Sequence, residues 1–397
     1  MESYFDRLVP CKPPIGQTRQ LIDFCRRYDY LYIYGCADSQ RFMAKYLGIC
    51  DISLKGFLIS ESEKKRVETY SDDSLVITPG ELPDLPNERV GVILGLPDIY
   101  YNEVMEELKK SNITNVFFPS EQSKFAIAQK VCPTPKELFW FETNIVDHCN
   151  LNCQMCDHFS PVAPEKYLDP AVYERDMKKM SELTCGDCRV IKLEGGEPLL
   201  HPKINEFIRI ARHYFPKTPI YLYTNGILLS GWENNPNGNL FRTCRESRTT
   251  IALTEYPIKL DYDAVKAKAQ EYGIYVLDVT TRREGVKYSV KHPFDLSGMQ
   301  DKYQFVDCFC FSNCISLKDG KLYPCSVLPN SSIFNEAFNM NLEITSDDFL
   351  DIHKASCYDE IAEFVSKRPP FCRYCVVNER SGHDWKTSTR RIEEWMS

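Results

Sequence analysis

The chain has 397 residues and a hydrophobic share of 43%, enough for two or three globular domains with buried cores. Its formal net charge of −8 argues against a broad nucleic-acid surface, and no apolar run reaches the roughly 20 residues of a membrane helix. The stretch Met1-Glu2-Ser3-Tyr4-Phe5-Asp6-Arg7 carries acids where a signal peptide has its apolar core, so a cytoplasmic protein is expected.

Along the chain, residues 31–34 form a short apolar strand ending at Gly35. A helix carrying Phe42, Met43, Tyr46 and Leu47 follows, with Gly48 at its end. Further strands are expected at 56–59, 75–77, 90–94 and 115–118, with a helix around Val104 to Leu108. Alternating strands and helices imply a Rossmann-like parallel sheet over residues 1–132. The nucleotide fingerprint is incomplete. Gly35-Cys36-Ala37-Asp38-Ser39-Gln40 keeps only the first glycine of G-x-G-x-x-G, and Gln40 crowds the helix–strand contact.

Pro133-Thr134-Pro135 marks a linker, and a second α/β run follows it. Residues 138–146 read as a strand entering a cysteine loop, and 189–193 as the next strand. The helix after it puts Ile204, Phe207, Ile208, Ala211 and Phe215 on one face. Strands at 220–223, 250–253 and 275–277 come next, and Asp261 caps a helix that closes at Gly273. Repeated strand–helix units over 138–295 predict a full or partial β/α barrel, with its chemistry at the C-terminal strand ends.

Eighteen cysteines are many for such a chain, and they cluster at 149–156, 308–325 and 372–375. Close spacing without a signal peptide favours metal ligation over disulfides. Cys11, Cys25, Cys36, Cys50, Cys132, Cys244 and Cys357 are expected to be packed thiols. Cys185-Gly186-Asp187-Cys188 is expected to be a packed or surface thiol pair. Cys149, Cys153 and Cys156 form a C-x3-C-x2-C run. Three thiolates on one loop hold three corners of a cubic iron–sulfur cluster and leave the fourth iron open. Zinc is the alternative, with His148 or His158 as a fourth ligand. Two further strand ends carry ligand-binding chemistry. Gly195-Gly196-Glu197-Pro198 offers exposed backbone and a carboxylate, and Thr224-Asn225-Gly226 closes the next strand.

Over residues 138–290 these motifs and their spacing resemble the radical S-adenosylmethionine (SAM) superfamily, which implies a partial (β/α)6 barrel, six-stranded, over 138–295. The resemblance implies a [4Fe–4S] cluster on Cys149, Cys153 and Cys156, with the amine and carboxylate of SAM on its open iron. Gly195, Gly196 and Glu197 of the Gly195-to-Pro198 motif are then expected at the methionyl amine, Asn225 at the ribose and Thr254 at SAM polar groups. Met155 stands where family members often carry an aromatic residue. The implied activity is reductive SAM cleavage to a 5′-deoxyadenosyl radical that abstracts hydrogen from a substrate carbon, with a flavodoxin- or ferredoxin-type electron donor.

From about residue 300 the sequence becomes cysteine-rich. A hairpin turning at Asp319-Gly320 places Cys314 across from Cys325. Gly320 and Cys325 match the Gly-x4-Cys part of SPASM and twitch extensions, so a C-terminal domain over 300–397 with one auxiliary [4Fe–4S] cluster is expected. Its ligands are sought among Cys308, Cys314, Cys325, Cys372 and Cys375, with Cys310 as a further candidate or a hydrogen donor; zinc stays open there. Arg282-Arg283-Glu284 is either a solvated loop or an anion clamp. The Rossmann-like module points to a sugar or nucleotide-linked small substrate, dehydrogenated or epimerised. A peptide-modifying maturase and a non-catalytic iron–sulfur sensor are the alternatives.

Overall fold

A computed structural model describes residues 17–67, 75–83, 85–230, 239–283 and 285–397, so Cys11 and Glu284 lie outside the described residues. The chain divides into two compact units. Among the described residues, one holds 17–132 with 301–308, and the other holds 133–300 with 309–397.

In the first unit, β1 (Tyr30–Tyr34), β2 (Gly56–Leu58), β3 (Val76–Ile77), β4 (Val90–Leu94) and β5 (Val116–Phe117) form one all-parallel sheet in the order β3-β2-β1-β4-β5. Its central strands are buried on both faces, which is why they read as continuous apolar runs. Gly48 lies within the helix Asp38–Ile49 rather than ending it, since Cys50 closes the last turn. Gln40 is buried, and its amide donates to the Gly95 carbonyl at 2.6 Å. Its side chain lies 3.0 Å from where a Cβ on Gly35 would stand, so it fills the crevice that a fingerprint glycine would leave open.

The second unit is built on β6 (Trp140–Val146), β7 (Val190–Gly195), β8 (Ile220–Thr224), β9 (Thr249–Leu253) and β10 (Val276–Asp278). These five strands are parallel and sequential neighbours, so their C-terminal ends share one edge. The crossover helices Pro170–Thr184, Ile204–Tyr214, Leu240–Glu246 and Tyr262–Glu271 bury their apolar faces in the common core. Asp261 caps the last of them, accepting from the Ala264 amide at 2.9 Å.

The expected six-stranded barrel over 138–295 is corrected in one respect. Among the described residues that span supplies five parallel strands. After β10 the chain turns at Gly285 into an antiparallel pair, β11 (Arg282–Arg283) and β12 (Val286–Val290). The sixth parallel position, beside β6, goes to β13 (Ser316–Lys318), which turns back through β14 (Lys321–Tyr323) to β15 (Leu350–Asp351). Asp319 and Gly320 both have positive φ, 51° and 73°, as a tight hairpin turn requires. Ile315, Leu317, Leu322 and Ile361 join the same core as the β6–β10 strands, so no break in the sheet separates 138–295 from the cysteine-rich region. Finally β16 (Gly382–Asp384) pairs with β12.

Candidate functional site

Val190–Gly195 runs into Gly196 and Glu197 directly beside the start of the cysteine loop. The Gly196 amide donates to the Val146 carbonyl at 2.7 Å, and the Glu197 amide to the His148 carbonyl at 3.1 Å. A Cβ on Gly196 would lie 2.0 Å from the His148 oxygen, and one on Gly195 2.4 Å from the Val146 oxygen. The two glycines thus let two backbones touch, as well as exposing backbone to the cavity.

Glu197 is 1% exposed. One oxygen accepts from the Leu199 amide at 3.1 Å and the Thr224 hydroxyl at 2.8 Å; the other accepts from the Asn225 amide at 2.9 Å. Burial pushes its carboxyl up to about 7, and the three donors only partly offset this. It caps the short turn Pro198–Leu200, with Pro198 at the first position, and binds the end of β7 to the end of β8. Asn225 spends its side-chain amide on the same loop, donating to Asn150 Oδ1 at 2.8 Å and lying 3.8 Å from Cys149 Sγ. The geometry therefore gives Glu197 and Asn225 a bracing role in a cavity wall that they share with Gly195, Gly196 and Thr254.

That cavity has a volume of about 370 Å³, within the usual range for small-molecule sites. Cys149, Cys153 and Cys156 all line it, with Gly195, Gly196, Asn225 and Thr254. Burial pushes the Cys156 thiol up to about 12, the Cys149 thiol still higher, and raises that of Cys153. Sulfur atoms here also receive N–H groups: Leu151 donates to Cys149 at 3.3 Å. Burial makes a bare thiolate costly here, the N–H donors offset that cost only in part, and a bound cation would remove it, so the three cysteines fit an iron–sulfur group.

Two features of the site were not legible in the sequence. Tyr256 and Lys287 line the cavity, and the Lys287 ammonium lies 5.5 Å from the Tyr256 ring centre. Burial lowers the Lys287 ammonium below its usual range. The second is the C-terminal segment, which holds the cysteine loop without lining the cavity. The Gln154 amide donates to the Lys386 carbonyl and the Ser388 amide to the Asn152 carbonyl, each at 2.9 Å. Trp395, 1% exposed, donates its indole N–H to the Cys156 carbonyl at 2.9 Å and packs on Phe159. Buried Glu394 receives the Ser388 and Thr389 hydroxyls. The tail thus clasps the cysteine loop, a pairing that only long-range contact reveals.

The remaining cysteines are spread over several elements. The β13–β14 register, Ser316 opposite Tyr323, extends to Cys314 opposite Cys325, but the Cys314 amide instead donates to the Cys310 carbonyl at 3.0 Å. The Ser312 amide donates to the Pro324 carbonyl at 2.8 Å, which holds the 310–314 turn beside Cys325. Cys325 and Cys375 pack against one aromatic cluster with Phe294, Phe371 and Tyr374, and the Cys375 amide donates to the Cys372 carbonyl. Cys308 closes the short helix Lys302–Asp307, which belongs to the first unit. Cys310 Sγ lies 3.7 Å from His292 Nδ1. Of the thiols expected to be packed, Cys357 is exposed, because it caps the surface helix Tyr358–Val365. Cys188 is buried and Cys185 exposed.

Arg282 binds Glu255 at 2.6 Å and Asp278 at 2.8 Å. Its fork is occupied by two carboxylates, which removes the basis for an anion clamp at this residue.

Residues 143–238, about a quarter of the chain, match the Radical SAM superfamily. Two curated relatives are similar over a short stretch. A GTP 3′,8-cyclase of Chlorobaculum tepidum is 35% identical over 86 residues, 21% of this chain and 25% of the relative. A GTP 3′,8-cyclase of Aliarcobacter butzleri is 30% identical over 98 residues, 24% of this chain and 29% of the relative. The chain thus spans about a quarter of the length of the curated relatives it matches. Among solved structures, BtrN in complex with AdoMet and 2-DOIA is 17% identical with a TM-score of 0.39, covering 66% of this chain and 98% of that one. Streptococcus suis SuiB bound to precursor peptide SuiA is 10% identical with a TM-score of 0.29, covering 68% and 83%. No helix among the described residues is long and apolar enough to cross a membrane.

Proposed function

We propose that this chain cleaves SAM reductively and uses the resulting radical on a small polar molecule, a sugar or nucleotide-linked compound, in a dehydrogenation or epimerisation. The observation that carries the reading is the opening of Cys149, Cys153, Cys156, Gly195, Gly196 and Thr254 onto one cavity. The three cysteines would hold a [4Fe–4S] cluster, the backbone of Gly195 and Gly196 the methionyl amine, and Thr254 further polar groups of SAM. Bound there, cluster and SAM supply one-electron cleavage of a sulfonium and a carbon radical able to take hydrogen from an unactivated carbon.

The chain's own residues do the positioning. Glu197 fixes the β7 and β8 ends to each other, and Asn225 holds the loop at Cys149. Tyr256 and Lys287 close part of the wall, which helps to exclude water. The small-substrate reading draws on the relatives, which are named for a nucleotide substrate. The first unit is read as a Rossmann-like module, supported by its strand order. An auxiliary [4Fe–4S] cluster is proposed on Cys325, Cys372 and Cys375 with a further thiol from the 310–314 turn. A flavodoxin- or ferredoxin-type protein is the proposed electron donor.

The test is anaerobic reconstitution followed by dithionite and SAM, with 5′-deoxyadenosine read by mass spectrometry. Wild type forms it, and Cys149→Ser, Cys153→Ser and Cys156→Ser do not. No 5′-deoxyadenosine from wild type, with sugar and nucleotide substrates present, would end this reading.

A further inference from the structure

β6 carries a polar run inside an apolar strand: Glu142, Thr143 and Asn144 are 2%, 2% and 5% exposed. One carboxylate oxygen of Glu142, one of Glu194 on β7 and a ring nitrogen of His158 all lie within 4.8 Å of one another. Glu194 and His158 line the cavity, and Glu142 is buried beside them.

Three features of this group point to a ligand. Glu142 Oε1 is fully buried and has no hydrogen-bond partner, although a buried carboxylate oxygen normally finds a donor or a cation. Glu142 and Glu194 approach each other closely, an arrangement that needs either a shared proton or a cation between the two carboxylates. Lys192 adds a favourable field, but its ammonium lies over the Trp140 ring at 3.7 Å. Finally, His158 Nδ1 lies 3.0 Å from the Gly195 carbonyl. A carbonyl only accepts, so Nδ1 carries the hydrogen and Nε2 of the neutral ring keeps its lone pair. Metal-binding histidines are commonly oriented by such a bond.

We propose that Glu142, His158 and Glu194 form a mononuclear site for a divalent metal ion at the wall of the cavity. The donors are hard oxygen and imidazole nitrogen, which suit Mn²⁺, Fe²⁺ or Zn²⁺ and set the site apart from the thiols of the cysteine loop. Three protein ligands leave coordination positions open. Because Glu194 and His158 face the cavity, those positions are available to an oxygen donor of a small polar ligand. The metal would also tie the end of the cysteine loop to β6 and β7, since His158 follows Cys156 by two residues. The site does not depend on SAM cleavage.

The test uses the full chain, reconstituted anaerobically with its clusters and freed of loose metal by chelator and gel filtration. It is titrated with Mn²⁺ alone, and the six-line EPR signal of free Mn²⁺ is read. Wild type takes up about one equivalent. Glu142→Gln and Glu194→Gln, at unchanged iron and sulfide content, bind roughly tenfold more weakly or worse. Pulsed EPR of Mn²⁺-loaded wild type, which needs no variant, shows the nitrogen coupling of one imidazole. No uptake by wild type, uptake unchanged in both variants, or bound Mn²⁺ without nitrogen coupling overturns the assignment and leaves a shared proton as what joins the two carboxylates.

Discussion

Gly196→Ala tests the reasoning about the Gly195-Gly196 pair most directly. The added methyl would stand 2.0 Å from the His148 oxygen and 2.4 Å from its carbonyl carbon. Ordinary contact begins at 3.4 Å, so the two backbones must part by about 1.4 Å. That separation stretches both hydrogen bonds that join them, Gly196 to Val146 at 2.7 Å and Glu197 to His148 at 3.1 Å. Two buried bonds lost, with their donors left without partners, cost about 2–5 kcal/mol in all. Because His148 precedes Cys149, the strain falls on the first cysteine. The assay is the denaturant midpoint of the cluster-free protein, followed by iron content after reconstitution. Gly48→Ala is the control: its methyl would meet nothing within 4 Å inside a helix, so it stabilises by about 0.5–1 kcal/mol. A Gly196→Ala protein with the wild-type midpoint and full iron content refutes the close-approach argument.

Trp395→Ala removes a 1% exposed ring and the donor to the Cys156 carbonyl. It is expected to cost about 3–5 kcal/mol and to speed anaerobic iron release to a chelator; an unchanged release rate would detach the tail from the loop. Glu197 gives a pH dependence. Its carboxyl sits at about 7 in the folded chain against an ordinary 4.5, so between these values the native state holds the extra proton. Stability therefore falls as pH rises from 4.5 to about 7 and is flat above, a span of about 3 kcal/mol. Glu197→Gln, read by denaturant midpoints of cluster-free protein from pH 5 to 8, should lose that slope while carrying a constant penalty for an amide facing N–H donors. Arg282→Ala breaks two partly exposed ion pairs and is expected to cost about 1 kcal/mol or less without weakening substrate binding; a selective loss of substrate affinity would restore the clamp.

Much of the architecture was legible because it rests on local pattern. Continuous apolar runs such as Val90–Leu94 mark strands buried on both faces. Asp261 and the Asp319-Gly320 pair mark a cap and a turn whose backbone few other residues adopt. The bracing roles of Glu197 and Asn225 were not legible, since each is set by which neighbouring strand end lies within 3 Å. Glu142 did leave a signal, a charged residue amid an apolar strand, but one strand does not say what faces it.

The sequence by itself determined the thiol triplet, the glycine pair and the strand–helix alternation that brings strand ends to one edge, because spacing and backbone freedom are local properties. Tertiary structure alone decided that β13 takes the place beside β6, that the tail from Lys386 to Trp395 clasps the cysteine loop, and that Glu142, Glu194 and His158 converge. Those outcomes depend on pairings between residues far apart in the chain, fixed by burial and hydrogen-bond satisfaction over the whole unit.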